Sequence, residues 1–102
     1  MLFRSNLRGA NLSEALPNGA ELIAADLSGT NLTRSDLNWA VLRQANLDGT
    51  DLNQASLGWA DFSRTKNIEA AILTEARYNE QTKWPKGFSP QKAGCILVSG
   101  PH

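Results

Sequence analysis

Leucine returns at every fifth position along most of this chain. The leucines of the series, with Phe62 next in line, are Leu2, Leu7, Leu12, Leu22, Leu27, Leu32, Leu37, Leu42, Leu47, Leu52 and Leu57. From Leu7 onward a small residue usually lies two positions before each leucine, and Asn or Asp often stands between them. Pro17 occupies the one central position of the series without a leucine. The pattern is a five-residue repeat whose last two residues are often Gly, Ser, Asn or Arg.

A period of five fits neither a continuous helix nor a continuous strand. In an α-helix five residues turn the chain by about 500°, so successive leucines would scatter around the axis. In a strand an odd spacing would send alternate leucines to opposite faces. A short extended piece followed by a bend places the small residue and the leucine on the same side. Repeating that bend coils the chain around its leucines and predicts a β-solenoid with coils ~4.8 Å apart.

The length of one coil follows from pairs that recur 20 residues apart. Gly29 and Gly49 are each followed by Thr, and Trp39 and Trp59 are each followed by Ala. Since 20 residues make four repeat units, each coil should have four sides. Residues 5–64 hold 12 consecutive units, and we therefore predict about 3–4 coils in all.

The repeat resembles that of the pentapeptide-repeat proteins. Its A-[DN]-L-x-x pattern is seen in Ala10-Asn11-Leu12, Ala25-Asp26-Leu27 and Ala45-Asn46-Leu47. The resemblance covers residues 1–78 and implies an all-β fold, a right-handed four-sided parallel β-helix. The residues predicted to form its core are Leu7, Leu12, Leu22, Leu27, Leu32, Leu37, Leu42, Leu47, Leu52, Leu57 and Phe62.

The register of the repeat fails beyond Thr65. Asn67 falls where a leucine belongs, and we expect Ile68 to take its place through a small bulge. Ile72 is then expected to return to the leucine phase, and residues 76–78 form one more unit, shifted by one residue.

The tail, residues 79–102, differs in kind from the repeats and contains Trp84 and Phe88. A solenoid ends in an open layer of backbone groups and exposed leucines, and repeat proteins typically need atypical ends for solubility. We predict a C-terminal capping tail in which Trp84 and Phe88 cover that layer. A recognition segment for a partner is the alternative.

Composition argues against several classes of function. The 102 residues allow one domain, and a formal net charge of zero does not favour nucleic acid as a partner. The single Cys95 and His102 supply neither a disulfide nor a metal site, so no cofactor is expected. The outward carboxylates do not stack on one another, which leaves no catalytic acid pair. No run approaches the ~20 apolar residues of a membrane span, and the start lacks a signal peptide, so we expect a cytoplasmic protein without a membrane partner.

Trp39 and Trp59 are the most informative surface residues. Both fall at an outward corner, one above the other, with Gly19 below them in the same column. Clustered exposed aromatic residues often mark a contact surface. The alternative is internal packing, in which the two rings stack or the tail folds over them.

These features favour a non-enzymatic, rigid interaction or scaffold module with a protein partner that the sequence does not identify. A homodimer formed by end-to-end stacking is one such assembly, with Met1, Leu2 and Phe3 supplying apolar surface at the first end. The alternative is a DNA-mimicking binder of DNA gyrase, an activity that the resemblance associates with some pentapeptide-repeat proteins. Residues 5–64 carry seven acids and four bases, a net charge of −3. Three to four coils span ~14–20 Å, whereas one turn of DNA is ~34 Å long, which disfavours mimicry.

Overall fold

The computed structural model describes residues 4–14, 16 and 18–98. The predictions for Met1, Leu2 and Phe3, for Pro17 and for His102 lie outside the described residues.

The chain coils so that successive turns pair in parallel at the polar position of each repeat. The pairs form four columns, Asn6–Asp26–Asn46–Lys66, Asn11–Asn31–Asp51, Asp36–Ser56 and Glu21–Val41–Asp61. Each step within these columns is 20 residues, which confirms the predicted length of one coil. The longer regular elements all lie late in the chain: a 3-10 helix at Ile68–Ala70, strand β1 at Arg77–Tyr78 and strand β2 at Ile96–Leu97.

Backbone hydrogen bonds join the coils on both sides of each polar residue. The N–H of Leu27 donates to the Asn46 carbonyl at 2.9 Å, and the N–H of Asp26 donates to the Ser5 carbonyl at 2.8 Å. The extended part of each unit is thus only long enough to bridge the coils before it and after it.

A tight turn ends each unit because its last residue adopts the left-handed conformation. At one corner the N–H of Ala45 donates to the Leu42 carbonyl at 3.0 Å, and Gln44 between them has a φ of 63°. A β-turn with a positive φ at its third residue favours glycine there, as at Gly29 and Gly49, with φ values of 66° and 71°. Other corners adopt the same conformation with Arg, Gln, Glu, Ala or Trp.

The leucines line the interior of the coil. Fully buried members of the series are Leu22, Leu27, Leu32, Leu37, Leu42, Leu47, Leu52, Leu57 and Phe62. Leu7 and Leu12 are partly buried and pack against this core. Small residues such as Ala40 and Ala60 are also fully buried, and the buried Thr50 donates its hydroxyl hydrogen to the Leu27 carbonyl at 2.7 Å.

The register changes at the 3-10 helix. Ile68 takes the core position after Asn67, which has a φ of 62°, and is 2% exposed. The later bridges, Asp51–Ile72 and Ser56–Arg77, are 21 residues apart, so one extra residue has entered the coil.

The prediction that Ile72 returns to the leucine phase is wrong. The extra residue moves every later position by one, so Ile72 is 47% exposed and Leu73 is 2% exposed in the core. The shifted unit at residues 76–78 is confirmed, because Ala76 and Tyr78 are buried while Arg77 is exposed.

Backbone pairing continues past Tyr78. Asp61 bridges Lys83, and β2 pairs in parallel with β1, with Ile96 opposite Arg77. Trp84, next to Lys83, stacks on Phe62 with ring centroids 5.0 Å apart and planes at 10°. Phe88 lies beside Trp84 with centroids 5.1 Å apart. Residues of the predicted tail therefore continue the backbone pairing of the coil and pack against Phe62.

Over the described residues, no helix has the length and apolar character needed to cross a membrane.

Candidate functional site

Trp39 and Trp59 form a parallel stack on one corner of the coil. Their ring centroids are 4.7 Å apart and their planes differ by 1°. This spacing is close to the ~4.8 Å between coils, so the backbone of two successive coils holds the rings parallel to each other. The rings do stack on each other, as the alternative interpretation expected. Trp39 nevertheless remains 54% exposed. We name these two residues the tryptophan pair.

The corner imposes an unfavourable backbone on both members of the tryptophan pair. Trp39 and Trp59 have φ values of 66° and 56°. For a bulky L-residue this region is rarely occupied and costs roughly 1–2 kcal/mol. Gly19, below them in the column, meets the same requirement with a φ of 79° and no side chain. The two tryptophans therefore destabilise the backbone at these corners, and their rings lie next to Gly19, which has no side chain.

Asparagines flank the tryptophan pair and hold its backbone. The Gly58 N–H donates to Asn38 Oδ1 at 2.8 Å, and the Trp59 N–H donates to Asn79 Oδ1 at 3.0 Å. Asn38 Nδ2 in turn donates to Asp36 Oδ1 at 2.9 Å. The two amide groups reach the corner because Gly58 has no side chain: a Cβ there would lie 2.8 Å from Asn38 Oδ1 and 3.2 Å from Asn79 Nδ2.

A cavity of about 220 Å³ lies beside Trp59. We name it the Arg77 cavity, and its lining includes Asn38, Ser56, Trp59, Arg77, Tyr78 and Asn79, together with Val98. No carboxylate is among the described residues that line it. The polar side chains around it are amides, hydroxyls and a guanidinium, which gives the cavity an excess of hydrogen-bond donors.

The Arg77 cavity does not follow from the five-residue repeat. Arg77 and Asn79 belong to the shifted unit and its continuation, and Val98 comes from the tail. Their proximity to Ser56 depends on the one-residue insertion and on the pairing of β2 with β1. A sequence feature that could have indicated this cavity is the run Arg77-Tyr78-Asn79, which lies where the repeat loses its period.

The outward Asp and Asn residues of the repeat have a local role that the sequence analysis missed. Each accepts a hydrogen bond on a side-chain oxygen from the backbone N–H two residues later, as in Asp26 from Ser28 at 3.1 Å and Asp51 from Asn53 at 3.0 Å. The Ser28 hydroxyl also donates to Asp26, at 2.6 Å, and these bonds hold the pKa of the Asp26 carboxyl below its usual range. This Asx geometry explains why the position favours Asp and Asn.

Several carboxylates also lie within ion-pair distance of arginines. Glu14 Oε2 lies 3.1 Å from Arg34 Nε, and Asp26 Oδ2 lies 3.9 Å from Arg8 Nε. Asp61 Oδ2 lies 3.9 Å from Arg43 Nε. Exposed pairs of this kind contribute only about 0–1 kcal/mol, so their main effect is on the surface charge pattern.

The described residues contain no group of three or more His, Cys, Asp and Glu side chains that could hold a metal ion. Burial raises the pKa of Cys95 to about 11. Its thiol is therefore protonated at neutral pH, which is the unreactive form.

Comparisons with known proteins agree with the geometry of the coil. A family model described as pentapeptide repeats matches residues 2–38 and 31–66, with 8 copies. The crystal structure of alr5209, a pentapeptide repeat protein from Nostoc Pcc 7120, is 34% identical with a TM-score of 0.71; the match covers 93% of this chain and 82% of that one. Such neighbours imply a right-handed β-helix.

A second solved structure is HetL, a pentapeptide repeat protein involved in heterocyst differentiation regulation from the cyanobacterium Nostoc sp. Strain PCC 7120. It is 31% identical with a TM-score of 0.39, and the match covers 93% of this chain and 48% of HetL. No curated protein matches this chain.

Proposed function

This chain belongs to the pentapeptide-repeat family, and on that premise we propose that it is a non-enzymatic, rigid module that binds another protein through the tryptophan pair. Proteins of this family are generally structural repeat proteins without enzymatic activity. A coil whose described units are joined by backbone hydrogen bonds presents its surface with little loss of conformational entropy on binding.

The exposure of Trp39 is the observation that carries this proposal. The residue is 54% exposed although its ring stacks on Trp59, and its backbone has a φ of 66°. Tryptophan is enriched among the residues that dominate binding energy at protein interfaces, with losses of about 2 kcal/mol or more on truncation. A rigid stacked ring loses little freedom when a partner covers it, so this corner suits an interface anchor.

Comparative capture with matched variants tests the proposal. Wild-type protein, Trp39→Ala and Gln44→Ala serve as baits in the same extract, since Gln44 occupies the next corner with a φ of 63°. We expect one set of partners with wild type and Gln44→Ala and at least a tenfold loss with Trp39→Ala, the effect of about 1.4 kcal/mol. Equal recovery by all three baits would remove the tryptophan pair as the binding surface.

The surface charges give little support to the alternative function, DNA mimicry. A duplex presents an unbroken series of unpaired negative charges. Here Glu14, Asp26 and Asp61 each lie within 4 Å of an arginine side chain. A stoichiometric supercoiling assay with DNA gyrase checks this directly, and we expect no inhibition.

We further propose that the tail caps the C-terminal end of the coil. Trp84 stacks on Phe62 and makes an edge contact with Tyr78 with ring centroids 5.6 Å apart, and Phe88 packs against Trp84 with centroids 5.1 Å apart. If Trp84 is a cap, Trp84→Ala should destabilise the fold by about 3 kcal/mol. If the tail is a recognition segment, the variant should keep its stability and lose a partner.

Self-association through the same end is a second candidate. Ile96, Leu97 and Val98 are 45%, 47% and 36% exposed, and in the described chain the second edge of β2 has no paired strand. Unpaired parallel edges with apolar side chains favour strand addition. Light scattering over a range of concentrations tests this, with Leu97→Glu as the variant that should remain monomeric.

A further inference from the structure

We propose that the Arg77 cavity binds a carboxylate, presented as an acidic side chain by the protein that contacts the tryptophan pair. This inference rests on the proposed function, because Trp59 belongs both to the tryptophan pair and to the wall of the cavity. It adds the chemistry of the partner: a Glu or Asp residue next to the segment that covers Trp39.

Hydrogen-bond donors without acceptors line the Arg77 cavity. Within the described chain, the Arg77 guanidinium makes no ion pair, and the Ser56 and Tyr78 hydroxyls and Asn79 Nδ2 donate no hydrogen bond. Tyr78 and Asn79 are 6% and 7% exposed, so these donors belong to residues that are mostly buried. In the described chain the buried side-chain polar atoms without a partner are Thr65 Oγ1 and Trp84 Nε1, so the donors of the cavity reach its open surface, where an acceptor can bind them.

The orientation of the Asn79 amide is fixed by its oxygen. Asn79 Oδ1 accepts from the Trp59 N–H and the Gln81 N–H, both at 3.0 Å, while the Thr82 hydroxyl donates to the Leu57 carbonyl at 2.8 Å. Exchanging the oxygen and nitrogen would place donors against donors. Asn79 Nδ2 is therefore the atom left for a ligand, and it can only donate.

Among the described residues, no carboxylate compensates the positive charge that Arg77 brings to this cavity. The acid on the same wall, Asp36, lies one coil below Ser56 and accepts hydrogen bonds from Asn18 and Asn38. Glu75 accepts from Gln54 instead, at 3.1 Å, and Glu80 does not line the cavity. A planar guanidinium with adjacent neutral donors matches a carboxylate, which offers acceptors only.

The size of the cavity selects a side chain over a cofactor. Its volume of about 220 Å³ is below the ~300–1,000 Å³ of typical small-molecule sites. The Trp59 ring and Val98 provide apolar wall for the methylene groups that precede a carboxylate.

Titration with two isosteric probes tests the charge requirement. N-acetyl-glutamate methylamide and N-acetyl-glutamine methylamide are added to ¹⁵N-labelled protein while the Trp59 Nε1–H, Asn79 Nδ2–H and Gly58 N–H signals are followed. We expect saturable shifts with the glutamate probe and at least about tenfold weaker binding of the glutamine probe, since a charged acceptor strengthens each hydrogen bond. Equal response to both probes, or shifts away from the cavity, would overturn the proposal.

Arg77→Gln and Arg64→Gln form the matched pair of variants, since both arginines are exposed and each change removes one positive charge. We expect Arg77→Gln to weaken the glutamate probe at least about tenfold with an unchanged thermal midpoint, and Arg64→Gln to bind as wild type. Equal binding by the two variants contradicts the proposal.

The capture experiment separates this inference from the proposed function. If Trp39→Ala loses the partner and Arg77→Gln retains it fully, the carboxylate site is wrong while the interaction module stands. If both variants lose the partner and Arg64→Gln keeps it, the acidic group of the partner docks in the Arg77 cavity.

Discussion

Gly58→Ala tests whether the asparagine side chains beside the tryptophan pair need a residue without a side chain at position 58 in order to reach the backbone there. Gly58 lies outside the left-handed region, so alanine introduces no backbone strain there. The new Cβ would lie 2.8 Å from Asn38 Oδ1, closer than real contacts allow. Asn38 must then turn away and give up the 2.8 Å hydrogen bond from the buried Gly58 N–H.

The size of the effect follows from two opposing contributions. A buried N–H left without an acceptor costs about 1–3 kcal/mol. Replacing glycine restricts the unfolded chain and returns about 0.4–1 kcal/mol. We therefore expect a net loss of about 1–2 kcal/mol, equivalent to a decrease of roughly 5–15 °C in the thermal midpoint for a domain of this size.

A double-mutant cycle with Asn38→Ala isolates the mechanism. Asn38→Ala removes both the hydrogen bond and the closest obstruction, so Gly58→Ala should cost clearly less stability in that background, where the contact that remains is Asn79 Nδ2 at 3.2 Å. The coupling free energy between the two changes should reach about 1 kcal/mol or more. Urea unfolding followed by near-UV circular dichroism measures all four proteins. Equal costs of Gly58→Ala in both backgrounds would refute the steric argument.

Three further predictions follow from the corners and from the titrating groups. Gly49→Ala should lower the free energy of unfolding by about 1–2 kcal/mol because φ at this position is 71°. Gln44→Gly, at a φ of 63°, should lose no stability, and thermal unfolding of both variants checks the contrast. Ser28 holds the pKa of the Asp26 carboxyl below its ordinary value of 3.8, so the ionised carboxylate stabilises the fold above that pH and this stabilisation is lost as the pH falls through the lower folded-state pKa; Asp26→Asn should flatten this dependence in unfolding titrations. The pKa of Cys95 rises from 9.0 to about 11 on burial, so stability should fall as the pH rises between these values, and iodoacetamide should modify the folded thiol more slowly than the unfolded one at pH ~8; equal rates would contradict the burial of Cys95.

Much of the candidate site could be predicted from the sequence. The rest could not be predicted, and the reason is physical. The vertical alignment of Trp39 and Trp59 follows from a 20-residue coil alone, because residues one coil apart share a column. The Arg77 cavity depends on Asn79 and Val98, whose positions are set after the period has been broken. Which residues lie next to them cannot be predicted by counting 20 residues along the chain, because the repeat has lost its register there.

The sequence by itself determined the coil, because a five-residue period of leucines can be buried only if the chain bends after every unit. It also determined which residues face inward as far as Phe62, since each unit repeats the same local geometry. Only the tertiary structure decided how the inserted residue is accommodated. The register stays shifted by one residue after the 3-10 helix at Ile68–Ala70, so Ile72 is exposed and Leu73 is buried in the core. It also decided that Trp84 stacks on Phe62 and that β2 pairs with β1. These contacts join segments of unlike sequence across an irregular coil, where packing of the particular side chains and backbone pairing outweigh any periodic pattern.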